Sequence, residues 1–198
     1  MESYFLNTGL SWTMSKVLPY VIMIFLGIIL WFIFKKLLKR INKFLRWTLL
    51  VVVFVLPFGT YFALSPIYEG DFSNNSIEVE KTELNSELTG KKLAVIAIPG
   101  CPYCLEAMGR LLKMKERVPD LKVEYVVCSV DSTTLNWYKE RGGDEIDVRL
   151  AKNREEMSKL AEHAFPTFVL VDNEHPLKKW SNDSFGVFAM DEIELEFN

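Results

Sequence analysis

Two cysteines, Cys101 and Cys104, stand two residues apart in the stretch LAVIAIPGCPYCLEAMGRLL, where an apolar run stops and a helix-like pattern begins. A cysteine at the first turn of a helix sits among amides that have no intrahelical partner, and the macrodipole favours an anion there. The thiolate is the nucleophile of cysteine chemistry, so this placement activates Cys101. Pro102 suits the first helical turn, because its missing donor would have had no partner. Cys104, one turn on, is placed to attack a mixed disulfide formed at Cys101 and release the other thiol. A pair used in this way needs no cofactor beyond its own disulfide. Two other uses of the spacing stay open at this point, a structural or inert disulfide and a metal site. Zinc takes four ligands; the pair supplies two, and the chain has no second Cys-x-x-Cys. His163, just before a proline, is the histidine available to a copper-carrying role, whereas His175 reads as a solvated turn residue.

Placing such a pair requires a buried strand before it and a core beneath it. KKLAVIAI is nearly continuous in apolar residues, as in a strand covered on both faces. After the cysteines, Leu105, Met108, Leu111, Leu112 and Val118 recur on a helical spacing. LKVEYVVCSVD reads as the next strand, and STTLNWYKERGG as a helix capped by Ser132 or Asp131 and ended by Gly142 and Gly143. EIDVRLA reads as a short strand, NREEMSKLAEHA as a helix, and FPTFVLVD as a strand entered through a proline. NEHP turns, LKKWSN is a further strand, and FGVFAMDEIELEF a closing helix. This alternation predicts an α/β domain over residues 90–198 with a mostly parallel sheet covered on both faces. Cys128 alternates in phase with Val126 and Val130, which predicts a buried, inert thiol. Trp137, Trp180 and Phe185 are expected as core or rim aromatics.

The rest of the chain is of a different kind. Residues 1–16 form a short N-terminal stretch. Val17 to Phe34 carries no charge, about the length a tilted helix needs to cross a bilayer, and a second uncharged run extends from Trp47 to Tyr68. Tyr20, Trp31, Trp47, Tyr61 and Tyr68 lie near the ends of these runs, as the membrane interface favours. A cleaved signal peptide has a shorter apolar core and a small-residue cleavage site, so both runs, 17–34 and 47–68, are read as transmembrane helices. Between them, residues 35–46 hold Lys35, Lys36, Lys39, Arg40, Lys43 and Arg46 with no acid. The excess of positive charge assigns this loop to the cytosol and both termini to the other side. Leu37, Leu38, Ile41, Phe44 and Leu45 give the loop an amphipathic spacing suited to the lipid headgroup layer.

Of 26 acidic and 23 basic residues, all but Glu2 among the acids, and all but Lys16 and the six loop residues among the bases, follow residue 68. That part of the chain is therefore at about −9, which excludes nucleic acid as a partner class. Residues 69–89 are polar and rich in Ser and Asn, and read as a linker with a short strand at Ile77 to Lys81. Gly27 and Gly59 are candidate points of close helix approach.

The strand, CPYC and helix unit, with FPTF about sixty residues later, resembles the thioredoxin superfamily. LNSELTGKKLAVIAI before the motif, and the extra helix-strand unit between YVVCSVD and FPTFVLVD, look most like its membrane-tethered TlpA-type branch. The resemblance covers roughly Thr82 to Glu196. It implies a thioredoxin-like fold with a helix-strand insertion, preceded by a two-helix transmembrane hairpin. It also implies that Cys101 is the nucleophile, Cys104 the resolving thiol and Pro166 a cis-proline, with Phe165 and Thr167 flanking a bound substrate backbone. Pro102 and Tyr103 form the glutaredoxin dipeptide, which is expected to set the redox potential. Gly100 stands where many members have a tryptophan, and Val95 where thioredoxin has a buried acid.

The expectation is a membrane-anchored thiol:disulfide oxidoreductase of the bacterial inner membrane, its domain in the periplasm. Its cofactor is the Cys101–Cys104 disulfide alone, with no metal. Its partners are protein thiols or disulfides, membrane lipid, and a membrane electron donor or acceptor. TlpA-type tethering favours a reductant, and since neither span holds a cysteine the electrons must come from a separate membrane protein. The competing reading is a non-catalytic thioredoxin-fold subunit of a larger membrane complex, and the third is copper delivery.

Overall fold

The computed structural model describes residues 1–79, 87–131, 133–172 and 177–197. The chain divides into two compact units, Met1–Glu69 and Gly70–Asn198.

In the first unit a short helix α1 (Glu2–Asn7) precedes two long ones, α2 (Trp12–Leu37) and α3 (Lys43–Leu64). Ser11 starts α2 by accepting a hydrogen bond from the Met14 amide on its Oγ. At 1.5 Å per residue α2 is about 39 Å long and α3 about 33 Å, each enough for a hydrocarbon layer of roughly 30 Å. The two are candidate transmembrane spans by length and composition. They pack closely at Gly27, where an added Cβ would lie 2.4 Å from the Phe54 carbonyl oxygen. Gly59 meets nothing within 4 Å, so only the first of the two expected approach points joins the helices. Tyr20 stacks edge-on against Tyr61 at 4.8 Å and donates its hydroxyl to the Ser65 carbonyl. Phe25, Phe32 and Leu56 face outward.

The loop between the spans is shorter than expected. α2 continues to Leu37, a 3-10 turn covers Leu38–Arg40, and α3 begins at Lys43 under an Asn42 cap. Lys35, Lys36, Lys43 and Arg46 therefore sit on the ends of the long helices, Lys39 and Arg40 lie in the 3-10 turn between them, and no separate α-helix forms in the loop. The second helix also ends at Leu64 rather than Tyr68, because Ser65 precedes Pro66 and a residue before proline is pushed out of the helical region.

The second unit is a thioredoxin-like α/β fold. Its strands are β1 (Ile77–Val79), β2 (Lys92–Ala97), β3 (Val123–Val127), β4 (Asp147–Leu150), β5 (Thr167–Val171) and β6 (Leu177–Ser181). Its helices are α4 (Pro102–Arg117), α5 (Thr133–Gly142), α6 (Arg154–Leu160) and α7 (Val187–Phe197). The sheet order is β1-β6-β5-β2-β3-β4. β3 is parallel to β2 and to β4, but β5 is antiparallel to β2 and to β6, and β1 to β6. The sheet is thus mixed, and the expectation of a mostly parallel one is corrected. The few residues between β5 and β6 are too short for a crossover, which needs a dozen or more, so the two strands form an antiparallel pair. The helix-strand unit α5-β4 is the insertion, and it adds the outer strand beside β3.

Register decides which side chains meet which layer. Val95 lies opposite both Tyr125 and Phe168, and all three are fully buried. Tyr125 reaches α4 from this face with its hydroxyl, and α7 shares it, bound to α4 through the Arg117 to Glu194 pair. On the opposite face Ala94, Ile96, Val126, Val169 and Val171 pack with Met157 and Leu160 of α6. Asn153 caps α6, which stops at Leu160, short of the expected Ala164, because Glu162 and His163 adopt left-handed backbone angles (φ 49° and 59°).

The expected polar linker is largely part of this unit. Asn74 accepts the Trp180 indole N–H at 2.9 Å and donates its side-chain amide to Glu192. The Gly186 and Val187 amides donate to the Ser73 and Asp71 carbonyls, and Gly186 leaves no room for a side chain, its Cβ position lying 2.3 Å from the Gly70 oxygen. The Glu87 carboxylate is buried against Arg149 and accepts hydrogen bonds from the Lys152 and Asn153 amides. Polar side chains here satisfy buried groups rather than solvent. Of the expected short strand, Ile77–Val79 is seen, and residues 80 and 81 lie outside the described residues, as do Ser132 and His175.

Candidate active site

The site is built where β2 gives way to α4. Gly100, at φ 70°, turns the chain after β2 in a conformation that an L side chain resists. Cys101 then takes an extended conformation as the N-cap of α4, with Pro102 in the first turn. Its Sγ accepts the Cys104 backbone N–H at 3.1 Å, so the sulfur takes the place that a serine or aspartate oxygen fills at other helix starts. Cys101 and Cys104 form a disulfide, with their Cα atoms 5.3 Å apart. Cys101 is 7% exposed and Cys104 is wholly covered. Pro102 and Tyr103 stand exposed beside it.

The second wall comes from the turn before β5. The Phe165-Pro166 peptide bond is cis, and the Phe165 carbonyl oxygen lies 3.9 Å from Cys101 Sγ. The structure thus brings together Cys101, Cys104, Phe165 and Pro166. Thr167 adjoins them in sequence, but its hydroxyl turns inward and donates to the Ala164 carbonyl at 2.6 Å, with the residue 2% exposed.

Two buried tyrosines that sequence reasoning missed hold the backbone on either side of the disulfide motif. Tyr125 donates its hydroxyl to the Cys104 carbonyl at 3.1 Å, and Tyr138 donates to the Ile98 carbonyl at 2.7 Å. Burial pushes both phenols up, Tyr138 to about 12, so they act as neutral donors that fix the carbonyls flanking the motif. The signal was present in LKVEYVVCSVD, because a tyrosine in an otherwise aliphatic strand needs a partner for its hydroxyl. Val95, fully buried, places no carboxyl at its position in β2, and the guanidinium of the largely buried Arg110 acts on the Tyr125 hydroxyl that bonds the Cys104 carbonyl.

The other candidate residues separate from this site. Cys128 follows the end of β3 and donates its amide to the Ala97 carbonyl at 2.8 Å. Its thiol is half-buried against the α6 side of the core, and burial, followed by the nearby Glu87 carboxylate, pushes it up to about 11. The expected alternation with Val130 fails, since β3 ends at Val127 and Val130 is 77% exposed. The cause is a turn in which the Asp131 amide donates to Ser129 Oγ. Trp180 and Phe185 are core residues, while Trp137 lies on the surface. His163 is exposed, with its Nδ1 2.8 Å from Ser158 Oγ, and no group of three metal-ligating side chains occurs among the described residues.

No family model and no curated protein matches the sequence. Solved structures give loose likenesses. One is a secreted disulfide oxidoreductase of Mycobacterium tuberculosis described as homologous to E. coli DsbE, at 14% identity over 57% of this chain and 84% of that one, with a TM-score of 0.43. A second is the thioredoxin domain of a thiol-disulfide oxidoreductase from Bacteroides vulgatus, at 19% identity over 67% and 99% of the two chains, TM-score 0.44. A third is a thioredoxin-like protein from Bacteroides caccae, at 16% identity over 74% of this chain and 62% of that one, TM-score 0.42. The fold assignment stands on this chain's own strand order, helix layers and register.

Proposed function

We propose that the chain is a membrane-anchored thiol:disulfide oxidoreductase acting on protein thiols or disulfides at the extracytoplasmic face of a bacterial inner membrane. The observation that carries this reading is the asymmetry of the pair. Cys101 caps the helix and keeps an opening to solvent, while Cys104 is closed off behind it. An incoming sulfur can reach only the first.

Acting as a reductant, the dithiol form attacks a substrate disulfide with the Cys101 thiolate. A mixed disulfide forms, one substrate thiolate leaves, and the Cys104 amide that bonds Cys101 Sγ supports the charge before attack. Cys104, as thiolate, then attacks Cys101 Sγ and expels the second substrate thiolate. Two electrons pass to the substrate, which takes up two protons, and the chain is left with the Cys101–Cys104 disulfide. A dithiol donor in the membrane returns it to the reduced form by the same exchange in reverse. Acting as an oxidant, the chain runs these steps backward. Phe165 and Pro166 form the opposite wall of the cleft, where an extended substrate backbone would lie beside Cys101 Sγ.

The membrane side is supported by the two apolar helices and by the six cations between them, which favour retention of that segment in the cytosol. The test is dithiol-dependent turnover of a protein disulfide by the full chain. Cys101→Ser should abolish it, and Cys104→Ser should trap a substrate in a mixed disulfide. Undiminished turnover in Cys101→Ser would overturn the reading.

A further inference from the structure

We infer that the tip of the helical hairpin is a binding site for the headgroup of an anionic phospholipid, an inference that rests on the membrane reading above. Lys35 and Lys36 lie in the last turn of α2, Lys39 and Arg40 in the 3-10 turn, and Lys43 and Arg46 in the first turns of α3. Among the described residues, none of the six makes an ion pair or a side-chain hydrogen bond. The Arg46 Nε is also shielded from solvent with no partner, so the guanidinium charge is not neutralised by the protein.

Depth places these cations. The Trp31 and Trp47 rings meet at 5.7 Å and so mark one level of the hairpin, the kind of aromatic pair that sits at a membrane interface. Lys35 and Lys43 each lie four residues beyond that level, roughly 6 Å along their helices. That is about the thickness of one headgroup layer. Lys43 and Arg46, three residues apart, share a face of α3, and the N-terminus of that helix adds its own positive end. These two are the phosphate contacts, and the other four supply the field around them.

The ligand is a lipid rather than free phosphate because the cations are interleaved with bare apolar side chains. Phe44 is 82% exposed, Leu37 69% and Leu45 50%. An inorganic anion makes no use of them, whereas a phospholipid presents a phosphate and acyl chains at this spacing.

The test uses the full chain in neutral detergent, where membrane topology plays no part and a merely orienting role for the cations leaves no signal. Native mass spectrometry with equimolar phosphatidylglycerol and phosphatidylcholine of matched chains should show at least a ten-fold preference for phosphatidylglycerol, weakening with salt. Lys43→Gln with Arg46→Gln should reduce the preference to within two-fold, and Lys16→Gln should leave it unchanged. Equal binding of the two lipids, or a preference that survives the paired substitution, would overturn the site. Displacement of phosphatidylglycerol by millimolar inorganic phosphate would overturn its assignment to lipid. Release of the chain from cell membranes by carbonate would overturn the membrane reading, and this site with it.

Discussion

Lys179 holds the wall of the cleft from the far side of the sheet. It is 8% exposed on β6, and its ammonium donates to the Leu160 carbonyl at 3.1 Å and to the Glu162 carboxylate. That contact holds the Glu162 carboxyl below its ordinary range. Between these anchors and Cys101 runs the turn that ends in Phe165 and Pro166, and two of its residues, Glu162 and His163, are left-handed. Left-handed angles cost roughly 1–2 kcal/mol per residue, or about 2–4 kcal/mol for both. A buried hydrogen bond from a charged donor returns about 1.5–3 kcal/mol, and the contact to Glu162, open to solvent, adds little to it. The two ranges overlap, so Lys179→Met, which keeps the stem and deletes the ammonium, should leave the turn unsupported. A loss of about 2–4 kcal/mol corresponds to roughly 30- to 700-fold faster amide exchange. The assay is hydrogen exchange by mass spectrometry on the full chain, read at peptides covering 161–166, where the Ala164 amide normally donates to Ala161 at 2.8 Å. Turnover should fall with it, because the Phe165 carbonyl is no longer fixed beside Cys101. Adding Glu162→Gly removes one left-handed penalty and should recover part of the protection. Exchange within two-fold of wild type in Lys179→Met would refute the reasoning.

After reduction, a short pulse of iodoacetamide at pH 7 should label Cys101 at least ten-fold faster than the covered Cys104, and equal labelling would contradict the assigned order of attack. Cys128, pushed up to about 11, is only about one part in ten thousand thiolate at that pH and should stay unlabelled. Glu87→Ala orphans the Lys152 and Asn153 amides and should cost about 2–4 kcal/mol in urea denaturation. Burial alone would raise the Glu87 carboxyl, but its hydrogen bonds from Lys152, Arg149 and Asn153 outweigh that and hold it below its ordinary range. Its contribution is therefore present above the ordinary carboxylate range and lost as pH falls through the lowered value. Stability should fall less on acidification in Glu87→Gln than in wild type. Gly27→Leu should lower the midpoint of detergent-driven unfolding of the helical unit, since a Cβ there meets the Phe54 carbonyl, whereas Gly59→Leu should not; equal midpoints would argue against close packing at Gly27.

What could be read from the sequence was mostly local. A cysteine pair between an apolar strand and an amphipathic helix declares its own surroundings, and Cys101 does cap α4. The element succession from β2 to α7 follows from periodicity in the same way. Long-range features were harder. The approach of Phe165 to Cys101 came from a family resemblance, since nothing within FPTF states which strand it enters beside. Strand direction was misread because alternation of strands and helices does not fix it; the short connection after β5 was the informative feature. The Ser- and Asn-rich composition of residues 69–89 suggests a linker with a short strand at Ile77 to Lys81, because Ser and Asn are usually solvated, yet Asn74 serves the Trp180 indole, a partner 106 residues away. Lys179 passed unnoticed for the same reason, as a lysine in LKKWSN gives no sign that its ammonium turns inward.

The most direct measurement is the equilibrium of Cys101 and Cys104 with thiol buffers of graded potential, with free thiols trapped and counted on the full chain. A reversible two-electron transition should appear, with Cys128 reduced throughout. A midpoint near −270 mV would assign the chain as a reductant fed by a membrane dithiol donor, and one near −120 mV as a disulfide donor. A pair that stays oxidised below about −300 mV, as structural disulfides do, would contradict the proposal and leave a non-catalytic subunit in its place.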